Sequence, residues 1–567
     1  MQMTANKRLL GWILILGGSI ATITITPTAS YDPINVPKLV VVALFGSIAG
    51  AVLFTTRGFF TDARYRLVLI FSGLFLVDMV VVLFASGGNM TQQIFGTNGR
   101  NTGLIAYLSF ALLLLAGVVA SGAELLKRVV YALLVVGALS SGYGVLQANK
   151  LDPAKWTNPY SPVLGFLGNP NFQASFMGMV LVIAFGWIFA SGLKWVYRGA
   201  LVVFIGVGLY VINESQSQQG FLVFVAGAGV VLYLVVRSNS KLKVLSIPYL
   251  IAAIVGFGFV VAGILSTGPL SFIHKDSVSY RGDYWRAGWK MTLGHPIFGV
   301  GMDSFGDWYR RSRDLTATVR RGPDVTSNAA HNTLIDLSSN GGFPLVIIYL
   351  LIIGLVMYSA FKVIRRSKSF DAAFTAIFAA WVAYFAQSII SLNQIGLAVW
   401  GWILSGLVIG YEIHTRPDKE VVSQAVTGKQ AKGRVTKVQN RSSISPNTTI
   451  AIFAGIVVGL ILGLPAYIAD ANFRTALASG NSQLVIDAAY KWPQTSARMV
   501  QAAGILRDNK FEAEGLKIAL DATKFAPDTF DTWRTVTLMP TVGAADKEVA
   551  YIHMRELDPL NTQIVSK

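Results

Sequence analysis

Residues 343–361, FPLVIIYLLIIGLVMYSAF, contain no charged side chain. The run is long enough for a helix to cross the hydrocarbon core of a bilayer, which is about 30 Å thick. The polar stretch SNAAHNTLIDLSSNGG at 327–342 precedes it, and the basic stretch KVIRRSK at 362–368 follows it. The pattern predicts a membrane-spanning helix with a polar segment at one end and a cluster of positive charge at the other.

Similar apolar runs recur along the chain and predict an all-α polytopic membrane protein with about 12–13 transmembrane helices. The run at 200–213 is the shortest of them. The predicted spans cover residues 9–26, 39–55, 67–86, 104–121, 129–147, 171–191, 200–213, 221–236, 244–266, 343–361, 372–391, 395–411 and 449–469.

The composition agrees with this class of protein. Of 567 residues, 53% are hydrophobic and 13% are charged, and the mean hydropathy is +0.54. A soluble globular protein carries about 25% charged residues, so a soluble enzyme is excluded, whereas a membrane enzyme, a transporter and a channel stay open. The chain lacks cysteine, which excludes disulfides, cysteine-ligated metals and thiol nucleophiles.

The net charge of +18 comes from 47 Lys and Arg against 29 Asp and Glu. Basic residues concentrate in alternate short loops, which is typical of the cytoplasmic side of a membrane protein, so the charge does not indicate a nucleic-acid surface. This asymmetry predicts a multi-pass protein of the cytoplasmic membrane with its N-terminus inside and its C-terminus outside. The first run is too long for a signal peptide and lacks a cleavage site, so we retain it as a span. The outer short loops hold Lys38, Arg100, Lys150 and Lys155.

This topology divides the chain into six regions. They are the N-terminal membrane helices (1–266), a large extracytoplasmic loop (267–342), further membrane helices (343–412), a basic cytoplasmic linker (413–447), the last membrane helix (448–470) and an extracytoplasmic helical region (471–567).

The C-terminal region contains Ala-rich amphipathic runs before Pro493, Pro527 and Pro559, which lie 34 and 32 residues apart. A period of about 34 residues resembles tetratricopeptide repeats. The alternative is an ordinary helical hairpin with prolines at its turns. If these runs form repeats, they are expected to present a surface that binds a protein partner.

The outer loop carries nine basic residues, and arginine binds diphosphate well because its planar fork donates paired hydrogen bonds. For most of them, a solvated face or contact with anionic lipid is the alternative. They are Lys275, Arg281, Arg286, Lys290, Arg310, Arg311, Arg313, Arg320 and Arg321.

His331 is one of five histidines and lies about a dozen residues before the span that starts at residue 343. Neutral imidazole can accept a proton from a sugar hydroxyl near neutral pH, so His331 is the candidate general base. A histidine in a loop is more often structural or merely exposed, and this alternative applies to His331 taken alone.

The string HNTLIDLSSNGGFPL resembles the histidine signature of the bacterial O-antigen ligase and polymerase superfamily. His331, Asn332 and Gly342 match its pattern, and Leu345 departs from it. These are polytopic enzymes, similar to the GT-C glycosyltransferases, that use glycans carried on undecaprenyl diphosphate.

Two further strings support the resemblance. RGDYWRAGWKM with GHPIFGVGMDSF places Arg281, Trp285, Gly299 and Gly301 on matching positions, and GNPNFQAS at 168–175 resembles a Gly-Asn-Pro-Asn stretch of the family. The likeness covers roughly residues 168–411. Gln218 stands where many members carry an arginine thought to bind diphosphate, so diphosphate binding must depend on Arg281 and its loop neighbours.

The resemblance implies an enzyme of cell-envelope polysaccharide biosynthesis, a glycosyltransferase of the ligase type. The glycan passes with inversion from undecaprenyl diphosphate to an acceptor hydroxyl at the outer membrane face. Its implied catalytic residues are His331 as base and Arg281 as the counter-charge of the leaving diphosphate.

Substrate contacts are expected from six residues. Asn332 orients the histidine or a sugar, Tyr284 and Trp285 stack on sugars or pack the loop, and Asn169 bonds sugar hydroxyls, while Arg286 and Gln218 face the donor. For Asn171 we favour a helix cap, and for Gly299 and Gly301 a turn. No cofactor or metal is expected, because the loop lacks an Asp-x-Asp pair and a histidine cluster.

The expected partners are the lipid-linked donor, membrane lipids and a glycan, lipid or protein acceptor, with no nucleic acid. A polysaccharide polymerase and a protein O-oligosaccharyltransferase share these features and remain alternatives. A lipid-linked sugar transporter would require matching interrupted helices in two halves and charge buried within the spans. The sequence shows no such halves, and Asp78 is the one clear carboxylate within a predicted span. A membrane scaffold that presents repeats would leave the motifs of the outer loop unexplained.

Overall fold

The structure, a computed structural model, describes residues 5–154, 156, 161–273, 276–417 and 444–565. Within these ranges the chain forms helices joined by turns, without a β-strand. The all-α class is therefore confirmed. Of the predicted basic linker, residues 418–443 lie outside the described residues.

All thirteen predicted spans fall on helices. In the described part of the chain, eleven helices are long and apolar enough to cross a membrane. The run at 200–213 belongs to a helix of 20 residues. The first seventeen helices are α1 (Ala5–Ile23), α2 (Asn35–Phe54), α3 (Arg66–Ala85), α4 (Met90–Phe95), α5 (Leu104–Ala120), α6 (Ala123–Ala148), α7 (Pro170–Ile188), α8 (Trp195–Glu214), α9 (Gln219–Ser238), α10 (Ser246–Ile264), α11 (Asp276–Gly294), α12 (Phe305–Ser312), α13 (Leu315–Arg321), α14 (Thr333–Arg366), α15 (Ala372–Ile390), α16 (Ile395–His414) and α17 (Pro446–Ser479).

Segments predicted to lie on the same side of the membrane contact one another. The side chain of Asn6 donates to the carbonyl oxygen of Thr55 (3.4 Å) and accepts from the hydroxyl of Thr448 (3.3 Å). At the other ends of the same helices, the backbone N–H of Tyr31 donates to Asp470 (2.6 Å). The ends of α1, α2 and α17 therefore meet on two opposite faces, and which face is cytoplasmic stays a prediction.

Lys38 lies inside α2 and not in a loop, so its predicted place was wrong. Its fully buried ammonium donates to the carbonyl oxygens of Ala21, Thr22 and Thr24 at 3.0, 2.7 and 2.8 Å. These carbonyls end α1, where C=O groups lack helical partners and the helix dipole is negative. The lysine thus caps the helix that precedes its own.

The last membrane helix, α17, packs on α2 through glycines spaced four residues apart. A Cβ atom on Gly459 would lie 2.6 Å from the Cα atom of Leu44. Cβ atoms on Gly455 and Gly463 would meet Cα atoms of α2 at 2.7 and 2.8 Å. Small residues let two membrane helices approach this closely, so the glycine row fixes where α17 lies.

Six more helices follow α17, which runs without a break through the boundary predicted at residue 470. Helix α19 packs on α20 and α21 on α22, with alanines buried between them. The assignment to tetratricopeptide repeats stays a prediction. The helices are α18 (Ser482–Ala489), α19 (Ser496–Asp508), α20 (Glu512–Phe525), α21 (Phe530–Thr537), α22 (Ala544–Leu557) and α23 (Thr562–Val565).

Replacing Gly459 with leucine should separate α17 from α2, because the backbone of α2 cannot give way to the new side chain. Forcing extra atoms into a packed contact costs about 1–3 kcal/mol, so the melting temperature of the detergent-solubilised protein should fall. The matched control is Val458→Leu on the exposed face of the same helix. Equal melting temperatures for the two variants would contradict this packing.

Candidate active site

A kink in α14 shapes the outer end of this helix. Gly342 has φ 73° and ψ −174°, and Pro344 follows it inside the helix. Because proline has no N–H, the carbonyl of Asn340 loses its helical partner. The N–H of Phe343 donates to the carbonyl of Pro296 (2.8 Å), so it is not available to Ser339. Two carbonyls, those of Ser339 and Asn340, are thus left free at the kink.

Residues 299–301 of the outer loop, here called the glycine turn, donate a hydrogen bond to each of these carbonyls. The N–H of Val300 donates to Ser339 (2.9 Å), and the N–H of Gly301 donates to Asn340 (3.0 Å). Gly299 and Gly301 have φ values of 59° and 103°, and a Cβ atom on Gly299 would lie 2.3 Å from the carbonyl carbon of Asn340. The prediction that these glycines form a turn is confirmed, and the turn docks on the kink.

His331 lies just before α14 with a φ of 52°, which is uncommon for a residue other than glycine. Asn332 is the N-cap of α14, and its side-chain oxygen accepts from the N–H groups of Leu334 (3.0 Å) and Ile335 (3.2 Å). The amide oxygen of Asn332 therefore caps the helix and fixes the backbone at its start, where His331 lies.

A buried ion cluster holds the segment before His331. Asp336 accepts from the N–H of Ala330 (2.8 Å) and faces the guanidinium of Arg100 at 3.6 Å. Arg100 also approaches Asp303 at 3.4 Å and donates to the carbonyl of Asn328 (2.6 Å). One arginine thus joins the segment before α5, the glycine turn and the histidine segment.

Helix α11 covers the other side of His331. The ring of Tyr284 stacks on the imidazole with centroids 5.5 Å apart, and its hydroxyl accepts from Arg321. Arg281 lies three residues before Tyr284, so both share one face of the helix. Tyr284 is 7% exposed, and its ring packs between His331 and Tyr309. Tyr284 thus helps to hold His331 in place.

The surroundings keep His331 uncharged. Burial lowers the pKa of His331 to about 3, and the positive charges of Arg281, Arg100 and Arg321 act in the same direction. Burial also lowers the pKa of Arg281. A neutral imidazole therefore lies beside partly desolvated cations, which is an arrangement suited to an anion.

Carboxylates pair most of the loop cations. Asp283 accepts from Arg286 (2.6 Å) and Arg320 (2.9 Å), and Arg286 also donates to Asp314 (2.6 Å). Among the described residues no carboxylate pairs with Arg281 or with Arg321. Lys275 lies outside the described residues. Arg286, expected to bind substrate, is thus engaged by two carboxylates.

The arginines at 310, 311 and 313 contact the C-terminal helices. Asp558, which is fully buried, accepts from Arg313 at 2.7 and 2.8 Å and from Arg310 at 3.0 Å. Arg311 donates to Asp528 at 3.1 Å. The view of these cations as a solvated or lipid-facing surface was therefore wrong, because a domain that is distant in sequence covers them.

The remaining predicted residues lie in two places. Trp285 packs on the aromatic cluster of α11 and α12, and its indole nitrogen is buried without a hydrogen-bond partner among the described residues. Asn169 is the N-cap of α7 because Pro170 takes the first helical position. The cap predicted at Asn171 was therefore wrong, and Asn171 accepts from Ser217 (2.8 Å).

Gln218 is exposed at the start of α9, next to that hydrogen bond. The structure thus joins the segments of Asn169 and Gln218 to each other, whereas His331, Arg281, Tyr284 and Asn332 form one cluster. Sequence reasoning missed Arg100 in this cluster. One indication of Arg100 was present in the sequence, because this residue lies in a predicted outer loop and the outer short loops carry few basic residues.

In the described residues, no group of three or more His, Asp or Glu side chains is placed to hold a metal ion. The positive charges that act on His331 are those of Arg281, Arg100 and Arg321. The fold and the site together define a polytopic membrane protein that places a neutral histidine at the end of a membrane helix, near two arginines that no described carboxylate pairs.

Residues 200–350 match the family model of the O-antigen ligases. This region contains Arg281, the glycine turn, His331 and the kink, while Arg100 and the stretch at 168–175 lie outside it. The chain therefore carries an O-antigen ligase domain, and its resemblance to the O-antigen ligase superfamily is confirmed. No curated protein matches the chain.

Replacing Arg100 with glutamine should destabilise the site, because Asp303 and Asp336 would face each other without a cation. Removing one partner of a buried ion pair costs about 3–5 kcal/mol, which should lower the melting temperature and expose residues 322–331 to protease. Adding Asp303→Asn should restore part of the loss, and Lys150→Gln is the control on an exposed outer residue. A melting temperature unchanged by Arg100→Gln would show that the cluster does not support the fold.

Proposed function

We propose that this protein transfers a glycan with inversion from undecaprenyl diphosphate to an acceptor hydroxyl on the outer face of the cytoplasmic membrane. The O-antigen ligase domain supports a membrane glycosyltransferase of the ligase type. The observation that carries the finer proposal is the neutral His331 beside Arg281 and Arg321, which no carboxylate pairs among the described residues.

Arg281 is the proposed counter-charge for the leaving diphosphate. Its guanidinium is partly desolvated, so an anion gains more from it than from an exposed cation. Negative charge grows on the diphosphate as its bond to the sugar breaks, and a cation held in place stabilises that transition state most. Arginine thus provides the positive charge that a metal ion provides in other glycosyltransferases.

His331 is the proposed base. Its low pKa keeps the imidazole free of a proton but also makes it a weak base. A diphosphate beside Arg281 would offset the positive charges that depress this pKa and would strengthen the base. Proton abstraction would therefore become efficient only when the donor is bound.

The proposed step balances without a cofactor. The acceptor oxygen attacks the anomeric carbon from the face opposite the diphosphate, and the bond from that carbon to the diphosphate oxygen breaks. The electron pair stays on the diphosphate beside Arg281, and the acceptor proton passes to a ring nitrogen of His331. The products are the inverted glycoside and undecaprenyl diphosphate.

Trp285 is a proposed sugar contact. A buried N–H without a partner costs free energy, because its hydrogen bond to water is lost on folding. A hydroxyl of the bound glycan would satisfy the indole nitrogen while the ring packs on the sugar face. Asn169 and Gln218, which lie at the outer ends of α7 and α9, remain proposed contacts for a more distant part of the glycan.

The acceptor distinguishes a ligase from a polymerase or a protein O-oligosaccharyltransferase. The purified full chain, given an undecaprenyl-diphosphate-linked oligosaccharide and each class of acceptor in turn, should release undecaprenyl diphosphate. His331→Ala and Arg281→Gln should each lower the turnover about 100-fold or more, since a base and an oxyanion donor contribute effects of this size.

The control is Lys290→Gln, which removes an exposed cation from the same helix α11. It should retain nearly full turnover. If His331→Ala turned over at the rate of the unmodified protein, the assignment of the base would be wrong.

The pKa of His331 can be measured directly, because the chain has only five histidines to assign by NMR. Since burial and three cations depress this pKa, protonation should occur well below pH 6.5, near pH 3. Arg281→Gln removes one positive charge and should raise the pKa, while Lys290→Gln should leave it unchanged. Titration near pH 6.5 in the unmodified protein would contradict the described environment.

A further inference from the structure

A basic cavity lies at the face opposite the proposed active site, where α9 and α14 end and α15 begins. Its volume is about 560 Å³, which is within the range of small-molecule sites. Five basic side chains line it: Arg237, Lys243, Arg365, Arg366 and Lys368.

Four of these five cations are not neutralised in the described part of the chain. Arg366 pairs with Glu412 at 3.2 Å, whereas no ion pair joins the others to a described carboxylate. The carboxylate that lines the cavity, Asp371, caps α15 through the N–H of Phe374 and accepts from the hydroxyl of Tyr411. The cavity therefore holds a surplus of positive charge.

This surplus exceeds what the helix ends require. Basic residues in the last turns, Arg237 in α9 and Arg365 and Arg366 in α14, complement the dipoles of these helices. Lys243 and Lys368 add charge beyond them. Like charges around one cavity repel one another, and an anion that enters the cavity would offset this repulsion.

The rest of the lining identifies the kind of anion. The hydroxyls of residues 238, 240 and 369 supply hydrogen-bond donors, whereas Ser367 donates to the carbonyl of Val363 (2.8 Å). Leu234, Ile364 and Phe374 supply an apolar wall. The cavity lies at the ends of helices long enough to cross a membrane, which is where the headgroup region of a bilayer is expected. A phosphodiester with attached acyl chains matches both the polar and the apolar parts.

We propose that this cavity binds the phosphate of an anionic phospholipid from the leaflet opposite the proposed active site. The proposal does not depend on the reaction assigned to His331. By the asymmetry of basic residues, that leaflet is the cytoplasmic one.

Native mass spectrometry of the purified full-length protein titrated with phosphatidylglycerol in detergent tests this site. A triple variant, Arg237→Gln, Arg365→Gln and Lys368→Gln, should weaken binding at least about tenfold, because each basic residue near a headgroup contributes about 1 kcal/mol. The matched control, Arg8→Gln, Arg57→Gln and Lys127→Gln, removes as many charges from the same predicted face outside the cavity and should bind normally.

Three results would overturn the proposal. An equal loss in both triple variants would indicate diffuse attraction by the basic face. Equal binding of phosphatidylcholine would remove the requirement for net negative charge. Displacement of phosphatidylglycerol by millimolar inorganic phosphate would assign the cavity to a free anion and not to a lipid.

Discussion

The guanidinium of Arg100, buried between the carboxylates of Asp303 and Asp336, is the interaction on which the outer half of this protein depends. Burying these charges is favourable only as a group, because any one of them alone would lose its hydration without compensation. Asp336 also binds the N–H of Ala330, and Asp303 binds the N–H of Thr97 (2.7 Å). One cluster thereby fixes three segments that are distant in sequence, including the residue that precedes the proposed base.

Around this cluster, the cations of the outer loop differ in whether a carboxylate pairs with them. Asp283 holds two arginines of the loop, and Asp558 carries two more into contact with the C-terminal helices. Arg281 stays without a carboxylate among the described residues, although it is only five residues from the paired Arg286. Ion pairing thus separates the cations that hold the loop and the C-terminal helices together from the one proposed above to face the diphosphate.

The sequence predicted much of the fold, since an uncharged run that crosses a bilayer must satisfy its own backbone as a helix. It also located His331 and Arg281 through their motifs, and it predicted the turn at Gly299. It did not predict the partners of side chains. Lys38 was counted as a loop residue, because charge alone cannot show that its ammonium caps α1. Arg313 meets Asp558 across 245 positions, and no local period of the sequence encodes such a contact.

The sequence by itself determined which segments form the apolar helices and which short motifs resemble the O-antigen ligases, because both depend on residues that are close along the chain. Only the tertiary structure decided the protonation of His331 and the availability of Arg281. These properties depend on burial and on charges brought together from the segment before α5, from α11 and from the end of α13. Electrostatic interactions act through space, and the distances that set them exist only once the helices have packed.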